Sequence, residues 1–198
     1  LKRAGDRELN ARPRRHGFDA ARKFHVQAVR QAPILLPEEA AARGHMRAKT
    51  MIDDVYNAKI LGFAGNIGRI GRLPHPDASA RAHSKLCGST VTVDLSMQGG
   101  VVTDFAHDVK ACALGQASSA IMAEHVVGAS AEELRAVRET MLKMLKENGA
   151  PPQGRFADLK YLEPVRDYKA RHASTMLTFD AVVDAIGQIE RKQAEQAA

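Results

Sequence analysis

Residues 86–128 read LCGSTVTVDLSMQGGVVTDFAHDVKACALGQASSAIMAEHVVG, and this run decides the fold. Val91, Val93, Leu95 and Met97 alternate with Thr92, Asp94, Ser96 and Gln98, the period of a strand with one buried face. Gly99 and Gly100 supply the positive φ angles that a tight hairpin needs. On the return strand Val101, Thr103, Phe105, His107 and Val109 share the face expected to meet the core, and Val102, Asp104, Ala106 and Asp108 share the other. The order is cysteine, hairpin, cysteine, helix. Cys112 stands where the second strand ends and a helix begins, so free amide groups and the helix dipole favour its thiolate. A thiolate is both a nucleophile and a metal ligand.

Downstream of the hairpin, Leu114, Ala117, Ile121 and His125 mark one face of a helix whose small residues permit close approach to the sheet, and Gly128 stops it. Ser130 to Glu133 form a capping box for the next helix, with Leu134, Val137, Met141 and Leu145 along its stripe as far as about Asn148. Met141, Met144 and Met176 read as core fillers. The run Gly149, Ala150, Pro151, Pro152 breaks the chain, and a short helical piece follows from Phe156 to Tyr161. From Ser174 onward Met176, Phe179, Val182, Val183, Ile186 and Ile189 give a helical stripe. Residues 191–198 should fray.

Upstream, Ile52, Val55, Ala58, Lys59, Ile60 and Leu61 predict a short helix that loosens at Gly62 and Gly65. Asn66 to Ser84 is rich in Gly, Pro, Ala and Arg and reads as irregular chain. Its Gly68 and Gly71 do not make a phosphate loop, because no strand precedes them and no Lys–Ser pair follows.

The 198 residues, 44% of them hydrophobic, suffice for one domain with a core plus extra chain. The net charge of +6 is unevenly placed: residues 1–50 hold 12 Lys plus Arg against 5 Asp plus Glu, whereas residues 51–198 hold 17 against 18. Basicity confined to a leader gives the domain no nucleic-acid footprint, and few aromatics are present to stack on bases. The leader lacks the apolar core of a secretory signal and is more acidic than a transit peptide. It reads as a disordered basic tail, with Met46 and Met51 as candidate starts. Two cysteines make no secreted disulfide framework, and no apolar run of about 18 residues is present to span a bilayer. A soluble cytoplasmic protein is expected.

Cys87–Gly88 ahead of a hairpin, then Ala111–Cys112–Ala113 opening an Ala- and Ser-rich helix, resembles the U-type iron–sulfur cluster scaffold family of IscU, SufU and the N-terminal domain of NifU. The resemblance covers about residues 51–190. It implies an α+β fold, with a small, mainly antiparallel sheet, helices packed on one face, and an edge strand carrying Ser79 and Arg81 where the family has glycines. The extra length before the last helix is similar to the SufU insertion. In the family three cysteines and an aspartate hold zinc or a nascent cluster. Matched residue by residue, the first two cysteines are Cys87 and Cys112, the aspartate position is Ser89, and the third cysteine position is Ser174, placed from the context Ala170 to Ser174 followed by Leu177, Asp180 and Ala181.

Two of four expected ligands are therefore replaced. A structural zinc wants four, commonly Cys and His. His172, two residues before Ser174, is the first substitute. His83 and Asp108 follow, and His107 is poorer because it takes a core position. For any one of these a packed or solvated role is the more common. The function implied is a non-enzymatic scaffold binding iron, zinc or a transient iron–sulfur cluster through its thiolates. Its partners would be a cysteine desulfurase and iron–sulfur client or carrier proteins, and a homodimer is compatible. The alternative is a degenerate paralogue acting as an adaptor or sulfur-relay partner of the desulfurase without holding a cluster. A Cys–His hydrolase has no ordered triad signature here.

Overall fold

Residues 57–198 are described by a computed structural model of the protein. The basic leader and the first residues of the expected upstream helix, Ile52 and Val55, lie outside the described residues. The helix itself, α1, runs from Ala58 to Gly65, with the Asn57 side chain accepting from Ile60 N as its cap. Irregular chain follows, as the glycines and prolines predict. Its last residues straighten into the edge strand β1, Ala78–His83.

β2 (Thr90–Gln98) and β3 (Val101–Lys110) form the expected hairpin, with Gly99 and Gly100 at φ 58° and 77°. The sheet is antiparallel in the order β1-β2-β3. Its inner face is set by three cross-strand rows: Ala78, Leu95 and Phe105; Ala80, Val93 and His107; Ala82, Val91 and Val109.

One part of the alternation is corrected. The register shifts after Ser96, which faces Asp104, while Met97 faces Val102, so Thr103 is the extra residue of a bulge. Val102 is thereby turned inward and buried, and Val101 and Thr103, expected in the core, are exposed.

Helix α2, Ala113–His125, buries Leu114, Ala117 and Ile121. Helix α3, Ala131–Lys146, starts where Ser130 Oγ accepts from Glu133 N at 3.1 Å. The Glu133 carboxylate pairs with Arg155 at 3.0 Å. After the Gly–Pro break the chain stays in 3-10 form over Gly154–Asp167, longer than the expected Phe156 to Tyr161, with a kink at Phe156 and Pro164 inside. Phe156, Leu159, Leu162 and Val165 are the buried residues that hold it to the core. Helix α4 begins at Lys169, one turn before Ser174, and continues to Ala197. Its residues beyond Arg191 are regular but exposed. Met141, Met144 and Met176 are buried, as core fillers should be.

Asp94, assigned to the polar face, is also buried. The Arg72 guanidinium donates to it from Nε at 2.6 Å and from a terminal nitrogen at 2.7 Å, and Ser79 Oγ and Leu73 N donate at 2.5 and 3.0 Å. Burial alone raises the Asp94 pKa, but these donors outweigh it and hold the carboxyl below its usual range. The irregular chain is thus fastened across the outer face of the sheet. His107 fastens its other end: Nε2 donates to Gly68 O at 2.9 Å, its backbone exchanges bonds with Arg69 and Gly71, and burial lowers its pKa.

Candidate functional site

The sheet register determines where the cysteines lie. Thr90, the first residue of β2, pairs with His83 at the end of β1 and with Lys110 at the end of β3. The loop between β1 and β2, which carries Cys87, and the link from β3 to α2, which carries Cys112, therefore leave the sheet at one end.

The Cys87 loop is a closed turn. Ser84 N donates to Ser89 O and Gly88 N donates to Ser84 O, each at 2.9 Å, and Gly88 takes φ +69°, a left-handed conformation that only glycine adopts without strain. Ser84 and Ser89 are buried under the turn, and Cys87 is exposed at its tip. Both hydroxyls face the sulfur, Ser84 Oγ at 3.3 Å and Ser89 Oγ at 3.1 Å. By donating to a thiolate they lower the Cys87 pKa to about 7, Ser84 contributing most, then Ser89, with the Arg171 charge adding to the effect. Ser84 was not among the residues singled out from the sequence. Its signal was a hydroxyl three residues before a cysteine in a turn.

Cys112 is the N-cap of α2 and makes no side-chain cap bond. Its half-buried sulfur lies 3.5 Å from Ser174 Oγ. Ser174 is fully buried and donates its own proton to Arg171 O at 3.0 Å, so its oxygen presents a lone pair to the cysteine. The approach of α2 to α4 here depends on Gly115. A Cβ at that position would stand 2.9 Å from Ser174 O and 2.8 Å from the Ala111 Cβ.

The residues expected from the sequence thus divide. Cys112 and Ser174 are in contact, Ser89 touches Cys87, and Arg171 on α4 acts on Cys87. His172 does not join them. Residues two apart on a helix point about 200° apart, and its Nε2 is held between Val165 O at 3.1 Å and Arg166 O at 3.0 Å, on the side of α4 away from Ser174. His83 is exposed on the outer face, and Asp108 pairs with Lys110 at 3.4 Å. Among the described residues no group of three or more His, Cys, Asp or Glu side chains is placed to hold a metal ion. The donor set at this end is two thiols and the three hydroxyls of Ser84, Ser89 and Ser174. The thiolates suit iron or zinc; the hydroxyls are weak ligands for either.

A family model described as the NifU-like N-terminal domain matches residues 55–196. The chain is similar to the iron–sulfur cluster assembly scaffold protein IscU of Thermotoga maritima, 25% identical over 137 residues that cover 69% of this chain and 96% of the relative. Against IscU of Streptococcus pyogenes serotype M1 the identity is 22% over 139 residues, 70% of this chain and 87% of the relative. The crystal structure of a nitrogen-fixing NifU-like protein (N-terminal) from Brucella abortus matches with a TM-score of 0.71 and 72% identity, covering 72% of this chain and 99% of that one. A putative SufU scaffold from Fervidobacterium islandicum shares the fold at a TM-score of 0.62 and 18% identity, with 68% of this chain and 98% of that one covered.

Proposed function

This chain belongs to the NifU-like N-terminal domain family, and from that premise we propose that it is an iron–sulfur cluster assembly scaffold whose cargo is held by the Cys87 and Cys112 thiolates. The observation that carries this reading is the register at Thr90, which brings both cysteine loops to one end of the sheet.

Each side chain has a part in it. Cys87, exposed and with a pKa of about 7, is available as thiolate at neutral pH without a general base. Cys112 supplies the second soft ligand from the head of α2. Ser89 and Ser174 occupy the other two family positions and leave them to exchangeable ligands such as sulfide or a thiol from a partner. Two protein thiolates hold iron or zinc less firmly than four, which suits a cargo that is handed on. A cysteine desulfurase as sulfur source and iron–sulfur client or carrier proteins as recipients follow from this reading. Among the described residues no helix is long and apolar enough to cross a membrane, and we place the activity in the cytoplasm.

The test is anaerobic reconstitution of the full chain with ferrous iron and sulfide. Thiolate-to-iron absorption is expected in the wild type and is lost in Cys87→Ala and in Cys112→Ala. A wild-type protein that stays colourless and free of iron overturns the reading.

A further inference from the structure

The turn that carries Cys87 also carries Leu86, at 77% the most exposed of the large apolar side chains among the described residues. A leucine exposed singly is ordinary on a protein surface. This one is held still: the bonds from Ser84 N to Ser89 O and from Gly88 N to Ser84 O close the turn around it, at the tip where the exposed thiol stands. Cations gather on the same end. Lys85 is exposed beside Leu86, and Lys110 is exposed two residues before Cys112. Arg171 is exposed on the first turn of α4, its carbonyl accepting from the Ser174 hydroxyl that touches Cys112. Lys85 and Arg171 have no ion pair among the described residues, and the Arg171 charge reaches Cys87. Residues 83–90, 108–113 and 170–174 make up this end, and Asp108, paired with Lys110 at 3.4 Å, is their one carboxylate. Lys169 and Asp167 line a separate cleft against α3. Three cations to one carboxylate here compares with 17 to 18 over residues 51–198.

Delivery of sulfur to Cys87 needs the donor's sulfur within bonding distance of that tip. The residues flanking Cys87 therefore come inside the contact. The sign of the charge narrows the occupant. Residues 1–50, with 12 Lys plus Arg against 5 Asp plus Glu, and a second copy of this end would both bring like charge to it. A nucleic acid would leave Leu86 in water. One leucine is a smaller insert into an anionic bilayer than a single acyl chain, itself a marginal anchor. Resting on the scaffold reading above, we propose that Leu86 is the anchor on which the sulfur-donating protein docks: it enters an apolar pocket of that protein, and Lys85, Lys110 and Arg171 meet Asp or Glu residues on the pocket's rim. The closed turn fixes the anchor before contact, so little freedom is lost on docking. Leu86 thereby selects the partner without holding cargo.

The test is titration calorimetry of the full chain with the cysteine desulfurase of the same organism. Leu86→Ser should bind at least about tenfold more weakly than wild type, and Leu86→Met, which keeps an apolar side chain, should restore most of the affinity. Lys85→Glu/Lys110→Glu should also weaken binding about tenfold or more, and the wild-type affinity should fall as salt rises. All three positions are exposed, so the variants keep the fold, checked by circular dichroism. Cys87→Ala/Cys112→Ala is expected to bind as wild type does, and Leu86→Ser to take up iron as wild type does, which separates failure here from failure of the scaffold reading. Four results would overturn the proposal: no binding by the wild type, undiminished binding by Leu86→Ser, undiminished binding by the charge-reversed chain, or Leu86-dependent binding to vesicles of phosphatidylcholine and phosphatidylglycerol as tight as to the desulfurase.

Discussion

Cys112 Sγ stands 3.5 Å from Ser174 Oγ, and the serine proton is committed to Arg171 O at 3.0 Å. The serine therefore faces the cysteine as an acceptor at the family's third cysteine position. Replacing it with a thiol changes one atom and adds a soft ligand where a hard one stood. Ser174→Cys should retain zinc or iron against a competing chelator at least about tenfold better than the wild type, as read by elemental analysis. Unchanged retention would mean that the Ser174 position does not face the bound cargo.

The two hydroxyls under Cys87 act on its acidity. Donation from Ser84 and Ser89 favours the thiolate, so alkylation of Cys87 should rise with pH through a midpoint of about 7. In Ser84→Ala/Ser89→Ala the thiolate loses both donors and the midpoint moves up toward 9.0, the ordinary value. Mass spectrometry of the labelled peptide follows Cys87 separately from Cys112. A midpoint that stays near neutrality would assign the effect to the residue 89 backbone amide and to Arg171 instead.

Gly115 is a spacer by virtue of having no side chain. A methyl there meets the Ser174 carbonyl at 2.9 Å, and backbone cannot swing aside as a flexible side chain can. Gly115→Ala gains some helix propensity but forces α2 from α4. The expected net loss is about 1–3 kcal/mol in urea unfolding, with Cys112 more accessible to alkylation in the folded protein.

Asp94 gives the fold an acid limit. Its pKa is lower folded than unfolded, so its stabilising contribution is fully present above the unfolded value of about 3.9 and is lost as pH falls through the folded one. Asp94→Asn should unfold more easily than wild type at pH 7, by about 1–3 kcal/mol, and the two stability curves should converge below about pH 4. Parallel curves down to pH 2 would remove Asp94 from the account. The loss stays within this range because Arg72 is 57% exposed and regains water when its partner is neutral.

Much of this architecture was legible because the periods were clean. The hairpin, the stripe of α3 and the stripe of α4 each repeat an apolar residue at one spacing over many residues. The bulge was not legible, since Val101 and Val102 offer the same chemistry to two competing alternations, and only the tertiary fit chooses Val102. Asp94 was read as a solvent-facing residue because its partner, Arg72, lies 22 positions away in a stretch with no period of its own. The family pattern pointed to Cys87, Cys112, Ser89 and Ser174, and the sheet register brings the two cysteine loops to one end. His172 was chosen for nearness in sequence, and on a helix two positions of separation point to opposite sides.

Thr90 carries a duty that no chemical assay of the site would detect. It belongs to two ladders at once, opposite His83 in one and Lys110 in the other. The strand works as a gauge block against which two separate lengths of chain are levelled. A slip of one residue in either ladder would shift that cysteine loop by about 3.3 Å and turn the inner side chains outward. The two loops would no longer leave the sheet at one level, with every residue around them unchanged. Selection on the placing of the cysteine loops in this fold is therefore also selection on the apolar alternation of β2, whose Val91, Val93 and Leu95 hold the gauge true.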